Sequence, residues 1–332
     1  MDELRIGVIG LGWFGERHAR VYSELPSARL TAVCDVDATR AGWIAAATGA
    51  EAMTDFAALL ARSDIDAVSI CMPDRMHLEA ALTAAAAGKA ILLEKPLAHD
   101  AATARRIVEA VEASGGRLMV GHILRFDPRY VRVYEAAAPE RLGAPIHVRA
   151  KRNGARSTAK RLGDASSILF YMGVHDIDAM QWICRSPISR VYAQKRQILG
   201  TGNEDAIYAV INFENGAMGS LDLSWAWPDG LMNGYRAALE VVGTRSAAYL
   251  DCTDQGFYTV GDEGTAGADT HLWPEINGRI VGDLADEISH FVQAMRTGRP
   301  YLQHHREALA AIPVLDALAE SAQTGLPVDV GP

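Results

Sequence analysis

A glycine pattern wedged between a strand and a helix constrains this chain more than any other feature. The run "LRIGVIGLGWFG" places Gly10, Gly12 and Gly15 in the spacing G-x-G-x-x-G, directly after an apolar segment and before helix-forming sequence. Each glycine has its own reason. The first permits a tight turn, the second lets the backbone approach a pyrophosphate, and the third lets the helix pack on the strand. Unpaired N–H groups at the helix start then face the phosphates, and the whole turn, Trp13 and Phe14 included, becomes a candidate dinucleotide contact. The alternative is a plain tight strand-to-helix turn with no ligand.

Four more apolar runs follow, "RLTAVCD", "DAVSICMP", "AILLEKP" and "RLMVGHI", separated by Ala-rich amphipathic segments. Runs of this kind predict a doubly wound parallel sheet of the α/β Rossmann class over residues 1–124. Asp35 ends the second run, twenty residues after Gly15. A carboxylate there accepts hydrogen bonds from both hydroxyls of the adenosine ribose and repels a 2′-phosphate. NAD is therefore expected rather than NADP, with Arg40 near enough in sequence to keep NADP open. Asp35 could instead be a helix N-terminal acid beside Asp37.

A length of 332 residues, 49% of them hydrophobic, suits two domains. The formal net charge of -9 works against a nucleic-acid partner, because phosphate backbones demand a surplus of Lys and Arg. Cys34, Cys71, Cys184 and Cys252 stand far apart, without the short spacing of a zinc site or redox pair. Cys34 and Cys71 lie in apolar runs where a reduced thiol acts as a small hydrophobe. The start "MDELRIGVIG" lacks the basic and apolar regions of a signal peptide, and no run reaches the length of a membrane span. A soluble cytoplasmic protein with no membrane partner is expected.

"MPDRMH" follows the strand in "DAVSICMP" and "LLEKPLA" the strand in "AILLEKP", at the carboxyl ends where open α/β sheets bind ligands. With the glycines, Asp35, Pro73, His77, Glu94, Lys95, Pro96 and the later "GVHDID", they make the chain resemble the Gfo/Idh/MocA family of NAD(P)-dependent sugar and cyclitol oxidoreductases. The resemblance extends to "FENGAMGSLDLSW" and to the closing "ALAESAQTGLPVDV". It implies a Rossmann domain, then an α+β domain (125–332) with a large open, mostly antiparallel sheet, a closing helix that can return to the first domain, and a substrate bound between the two over the nicotinamide. It also implies that Lys95 hydrogen-bonds the reacting oxygen and that His175 is the acid/base. A solvated lysine paired with Glu94 is the plainer reading of Lys95. His77 reads as structural, close to the cofactor cleft.

From about residue 144 the pattern changes to alternating strands: "PIHVRAKRNG", "ISRVYAQKRQ", "DAIYAVINF", "GAMGSLDLSWAW" and "RAALEVVG". Asn215 and Gly216 mark a hairpin turn. An open sheet of this kind can associate with a second copy, so a homo-oligomer, dimer or tetramer, is expected. The segment 166–184 breaks the alternation and reads as a helix. Tyr171, His175, Asp178 and Trp182 share one face, Ile168, Met172, Ala179 and Ile183 another, while Asp176 points elsewhere.

A neutral imidazole can take a hydroxyl proton while hydride leaves the same carbon. Many members of the family carry an Asp one turn before that histidine; here the position is Tyr171, which adds no negative charge at neutral pH. Asp178, at i+3, is the available substitute. The competing reading makes His175 a satisfied helix residue. The run 149–161 carries Arg149, Lys151, Arg152, Arg156, Lys160 and Arg161 with no acid before Asp164. It suggests either an anionic substrate or a solvated loop, with Lys151 and Asn153 on one sheet face and Arg152 on the other. Trp225, Trp227 and Trp273 could stack on a sugar ring, though core or interface roles are commoner. Adjacent His304 and His305 should diverge on a helix, and no metal is assigned.

These readings converge on hydride transfer between NAD and a secondary alcohol of a sugar, inositol-like cyclitol or related polyol. Lys95, His175 and Tyr171 are the candidate catalytic residues, and Asn153 joins them in binding substrate. The alternatives are a nucleotide-sugar C3 dehydrogenase or ketoreductase, and a non-catalytic NAD-binding sensor of the same fold.

Overall fold

The computed structural model describes residues 3–231, 234–253, 255–262 and 264–331, apart from the side chains of residues 164 and 264. The chain divides into two compact units, Met1–Phe126 with Leu272–Leu309, and Asp127–His271 with Ala310–Pro332.

The first unit alternates strand and helix: β1 (Leu4–Ile9), α1 (Trp13–Glu24), β2 (Ala28–Cys34), α2 (Ala38–Thr48), β3 (Glu51–Met53), α3 (Phe56–Leu60), β4 (Ala67–Ile70), α4 (His77–Ala86), β5 (Ala90–Glu94), α5 (Ala101–Ala113) and β6 (Leu118–Gly121). The strands pair in parallel in the order β3-β2-β1-β4-β5-β6. That is the doubly wound order, whose reversal between β1 and β4 opens a crevice at the strands' carboxyl ends. Strands β4, β5 and β6 are buried at every position, as helices on both faces require, while the short edge strand β3 is exposed. Aspartates start three of the helices: Asp37, Asp55 and Asp100 each accept backbone N–H groups of the turn that follows.

The second unit opens with α6 (Pro128–Ala136), capped by Asp127 with a proline in the first turn, and α7 (Pro139–Leu142). It continues through β7 (Pro145–Ala155), α8 (Arg156–Leu162), α9 (Val174–Cys184), β8 (Ile188–Arg196), β9 (Ala206–Phe213), β10 (Met218–Trp227), β11 (Tyr235–Gly243), β12 (Ala247–Asp251) and the hairpin of β13 (Tyr258–Gly261) with β14 (Gly264–Gly267). Next in the chain come β15 (Glu275–Ile276), β16 (Arg279–Ile280), α10 (Asp283–Thr297), α11 (His305–Thr324) and β17 (Val328–Asp329).

The large sheet runs β12-β11-β7-β10-β9-β8-β17 and is antiparallel except where β10 meets β7. Strand β9 buries every second residue, the signature of a sheet covered on one face only. Its other face exposes Tyr192, Tyr208, Val210, Met218 and Tyr249.

The division differs from the expected 1–124 and 125–332 in one segment, 272–309, which is grouped with the first unit. The reason is packing and polar anchoring. Leu284, Ile288, Phe291 and Val292 of α10 are wholly buried. Arg117 donates to the carbonyls of Ala294 and Arg299, Arg125 pairs with Glu307 at 2.6 Å, and Arg306 with Glu112 at 2.7 Å. His304 and His305, expected to diverge on one helix, have ring centroids 4.2 Å apart because α11 begins only at His305. His305 meets Glu112, and among the described residues no group of three or more His, Cys, Asp or Glu could hold a metal ion. No described helix is long and apolar enough to cross a membrane.

Candidate active site

The turn after β1 shows why it needs its glycines. Gly10 has φ +84°, and a Cβ there would lie 2.8 Å from the Met72 nitrogen. A Cβ on Gly15 would lie 1.8 Å from the Gly10 carbonyl oxygen, so only glycine lets α1 approach β1 this closely. A Cβ on Gly12 would meet nothing within 4 Å. Gly12 is also the cap residue of α1, with no side chain bonded to the first N–H groups. Open space beside uncapped donors is the cradle a pyrophosphate fits.

Asp35, just past β2, accepts hydrogen bonds from the N–H of Leu11 (2.7 Å) and of Asp37 (3.0 Å). Asp37, not Asp35, caps α2 by accepting from Thr39 and Arg40. The helix-cap reading of Asp35 therefore falls to its neighbour, and Asp35 stands beside the glycine turn, partly exposed, as a ribose acceptor would. Trp13 and Phe14 pack edge-on against Trp273, with centroids 5.2 and 5.3 Å away.

The loops after β4 and β5 are joined by His77. Its Nε2 lies 2.9 Å from the Met72 carbonyl and its Nδ1 3.4 Å from that of Leu97. Burial lowers the His77 pKa, and a neutral ring has one N–H, for which the two loop carbonyls compete. His77 is a brace between the two loops, with Pro73 starting the short 3₁₀ turn before it.

Glu94, at the end of β5, accepts from His18 Nε2 (3.1 Å) and from the Lys95 N–H (3.2 Å). His18 and Tyr22 both meet the Ser69 hydroxyl. The Glu94 carboxylate is thus committed to buried partners and to the Lys95 main chain, and the peptide joining Lys95 to Pro96 is cis. Within Ala90–Ala98 every residue is buried except Lys95.

In the second unit the expected helix 166–184 is not uniform. Leu169–Gly173 is a π turn, in which Val174 N–H reaches back five residues to Leu169, and α9 follows. A π turn ends the rule that residues four apart share a face. Tyr171 lies inside that turn and so leaves the stripe expected with His175, Asp178 and Trp182, which stay together in α9. The Tyr171 hydroxyl accepts from Arg161 (3.3 Å) and its ring packs edge-on against Trp225. Trp182 stacks on Tyr134 at 4.3 Å, and Asp178 is buried.

Gly173 closes the turn where β10 comes near: a Cβ there would lie 2.9 Å from the Leu223 side chain. The expected apolar stripe is buried as read, Ile168, Met172, Ala179 and Ile183 all lying in the core. Within Met172–Met180 every residue is buried except His175.

Residues 4–122 match the family model for oxidoreductases with an NAD-binding Rossmann fold, and residues 130–249 match that for the GFO/IDH/MocA C-terminal domain. The chain belongs to the Gfo/Idh/MocA family. Inositol 2-dehydrogenase of Rubrobacter xylanophilus is 34% identical over 75% of this chain and 72% of its own length. Inositol 2-dehydrogenase 2 of Saccharopolyspora erythraea is 31% identical over 99% and 96%. The crystal structure of GenD2 from gentamicin A biosynthesis in complex with NAD superposes with TM-score 0.89 at 27% identity, covering 100% of this chain and 97% of that one. As a member of the Gfo/Idh/MocA family the chain is an NAD-dependent oxidoreductase.

The family's substrate domain here disperses the basic run rather than gathering it. Arg152 is buried against Asp176 at 2.8 Å and the Tyr130 hydroxyl. Burial opposes its charge, but Asp176 prevails and raises the Arg152 pKa. Arg156 donates to the Ala226 carbonyl, Arg149 lies 3.9 Å from Glu240, and Arg161 is on Tyr171. The side chain of Asp164 lies outside the described residues.

Asn153, the pleat neighbour of Arg152, is buried and its Oδ1 has no partner among the described residues. Trp225 is core, against Met172. Trp227 lies under Arg236, and Trp273 belongs to the glycine turn of the first unit. Sequence reasoning missed that last placement and the Arg152–Asp176 pair. The adjacent "HD" of "GVHD" gave no sign that its acid would be spent on an arginine 24 residues away.

Proposed function

We propose that the protein oxidises a secondary hydroxyl of a cyclitol, with inositols first among the candidates and other polyols and sugars next. The observation that carries this is a shared pattern. Two nine-residue segments, 90–98 and 172–180, are buried throughout except for one ionisable side chain each, Lys95 and His175. A cation and an imidazole that alone stay partly exposed in otherwise packed segments are candidates for work on a ligand.

Lys95 donates a hydrogen bond to the substrate oxygen and favours the negative charge that develops there. His175 accepts the hydroxyl proton, and Tyr171 and Asn153 orient the ring. NAD, when bound, supplies the hydride acceptor. Its contacts are assigned to Gly10, Gly12, Trp13, Phe14, Gly15, Asp35, Pro73, His77, Glu94 and Lys95. The substrate class is supported by relatives named inositol 2-dehydrogenases. The scattering of the basic run weighs against a nucleotide sugar. We assign the protein to the cytoplasm as a homo-oligomer, the latter supported by the exposed apolar residues on the open sheet face.

The test is a panel of inositols, polyols, aldoses and UDP-sugars with NAD, followed by absorbance of the reduced nicotinamide. Turnover with a cyclitol, reduced about a thousandfold in Lys95→Ala while NAD still binds, is the expected result. Turnover only with UDP-sugars would overturn the substrate class, and NAD binding without any turnover would favour a sensor.

A further inference from the structure

Arg40 is a guanidinium at the place where a 2′-phosphate would need one, and its charge is already taken. Its Nε donates to the Leu11 carbonyl at 2.8 Å, while Asp35 accepts from the Leu11 N–H at 2.7 Å. One residue of the glycine turn is therefore held from both sides, by the carboxylate suited to ribose hydroxyls and by a cation suited to a phosphate. The terminal nitrogen of Arg40 pairs with Glu16 at 2.5 Å. Glu16 lies in the first turn of α1, its N–H bonded to Gly12, on the helix end that faces the pyrophosphate. Both side chains keep some exposure, 32% for Arg40 and 23% for Glu16, so the pair is reachable rather than sealed.

We propose that Glu16 is a coenzyme-selectivity residue: by capturing Arg40 it denies a 2′-phosphate its cation, while Arg40 hides from the pyrophosphate an acid that would repel it. NAD preference then has two independent sources, repulsion by Asp35 and capture by Glu16. The Leu11 carbonyl and the Trp43 ring, 5.1 Å from Arg40 Cζ, keep the guanidinium beside the turn after Glu16 is neutralised.

Dissociation constants of NADH and NADPH, read from nicotinamide fluorescence, test this in wild type, Glu16→Gln, Arg40→Met and the double variant, each also with Asp35→Asn. Glu16→Gln should tighten NADPH about tenfold while NADH moves less than about twofold, the scale of one charge-assisted hydrogen bond. The same factor should appear with Asp35→Asn, and adding Arg40→Met should erase it. Arg40→Met alone should weaken both coenzymes, and Glu16→Gln should restore NADH. If Glu16→Gln leaves the NADPH to NADH ratio unchanged in both backgrounds, or weakens the two coenzymes alike, the pair is only a strut and the proposal falls. A gain that survives Arg40→Met would also overturn it.

Discussion

In the first unit the glycine turn is shaped by the main chain: Gly10, Gly12 and Gly15 are chosen by what a Cβ would strike or leave open, and Asp35 binds the backbone of Leu11. In the second unit the candidate residues are side chains on a helix entered through a π turn, and their facing depends on where that turn ends. Backbone requirements leave a spacing in the sequence. Side-chain facing leaves one only when the helix is regular.

The sharpest way to break that contrast is to attack each unit where its own logic is strongest. Gly15→Ala puts a methyl group 1.8 Å from the Gly10 oxygen. A loss of NADH binding and a destabilisation above about 4 kcal/mol are expected, measured by titration and denaturant unfolding. Wild-type affinity in this variant would show that the turn has slack the geometry denies. In the second unit Arg152→Met strands a buried Asp176 carboxylate and should cost about 3–5 kcal/mol. Much of that loss should return in Arg152→Met with Asp176→Leu; a single variant as stable as wild type would remove the pair from the account.

Smaller effects sharpen the comparison. Tyr171→Phe removes one partly exposed hydrogen bond to Arg161, so kcat/KM should fall by about tenfold at most. A thousandfold loss would make Tyr171 a proton-transfer group instead of an orienting one. In the first unit, burial and then the Glu94 and Asp283 carboxylates raise the pKa of Glu287 well above its ordinary value. The folded chain then holds that proton more tightly than the unfolded chain. The stability this provides is full below the ordinary glutamate value and is lost as pH rises through the raised one. Glu287→Gln carries no such loss, so its Tm advantage over wild type should widen as pH rises above the ordinary glutamate value. A constant difference would contradict a neutral Glu287.

Much of the fold was legible because period and composition agree with it. The five apolar runs of the first unit became β1, β2, β4, β5 and β6, and the alternating runs became β7 to β11. The short edge strand β3 left no run to find, since only three exposed or half-buried residues form it. Segment 272–309 was misplaced because its ties to the first unit are long-range pairs such as Arg117 with Ala294 and Arg299, which no local pattern encodes. At the candidate site, Lys95 and His175 were picked out by their motifs. The π turn was not, because it leaves no spacing in the local sequence, and the close approach of Gly173 to Leu223 joins residues fifty apart.

The central claim is that His175 takes the proton while Lys95 holds the oxygen. The most direct test is the pH dependence of kcat/KM for cyclitol oxidation in wild type and His175→Ala, with NAD affinity measured alongside. The account predicts that the substitution lowers kcat/KM by about 10²–10⁴ and removes the acid limb, while NAD still binds. An unchanged profile with undiminished turnover would return His175 to the packing of α9 and leave the proton without an acceptor.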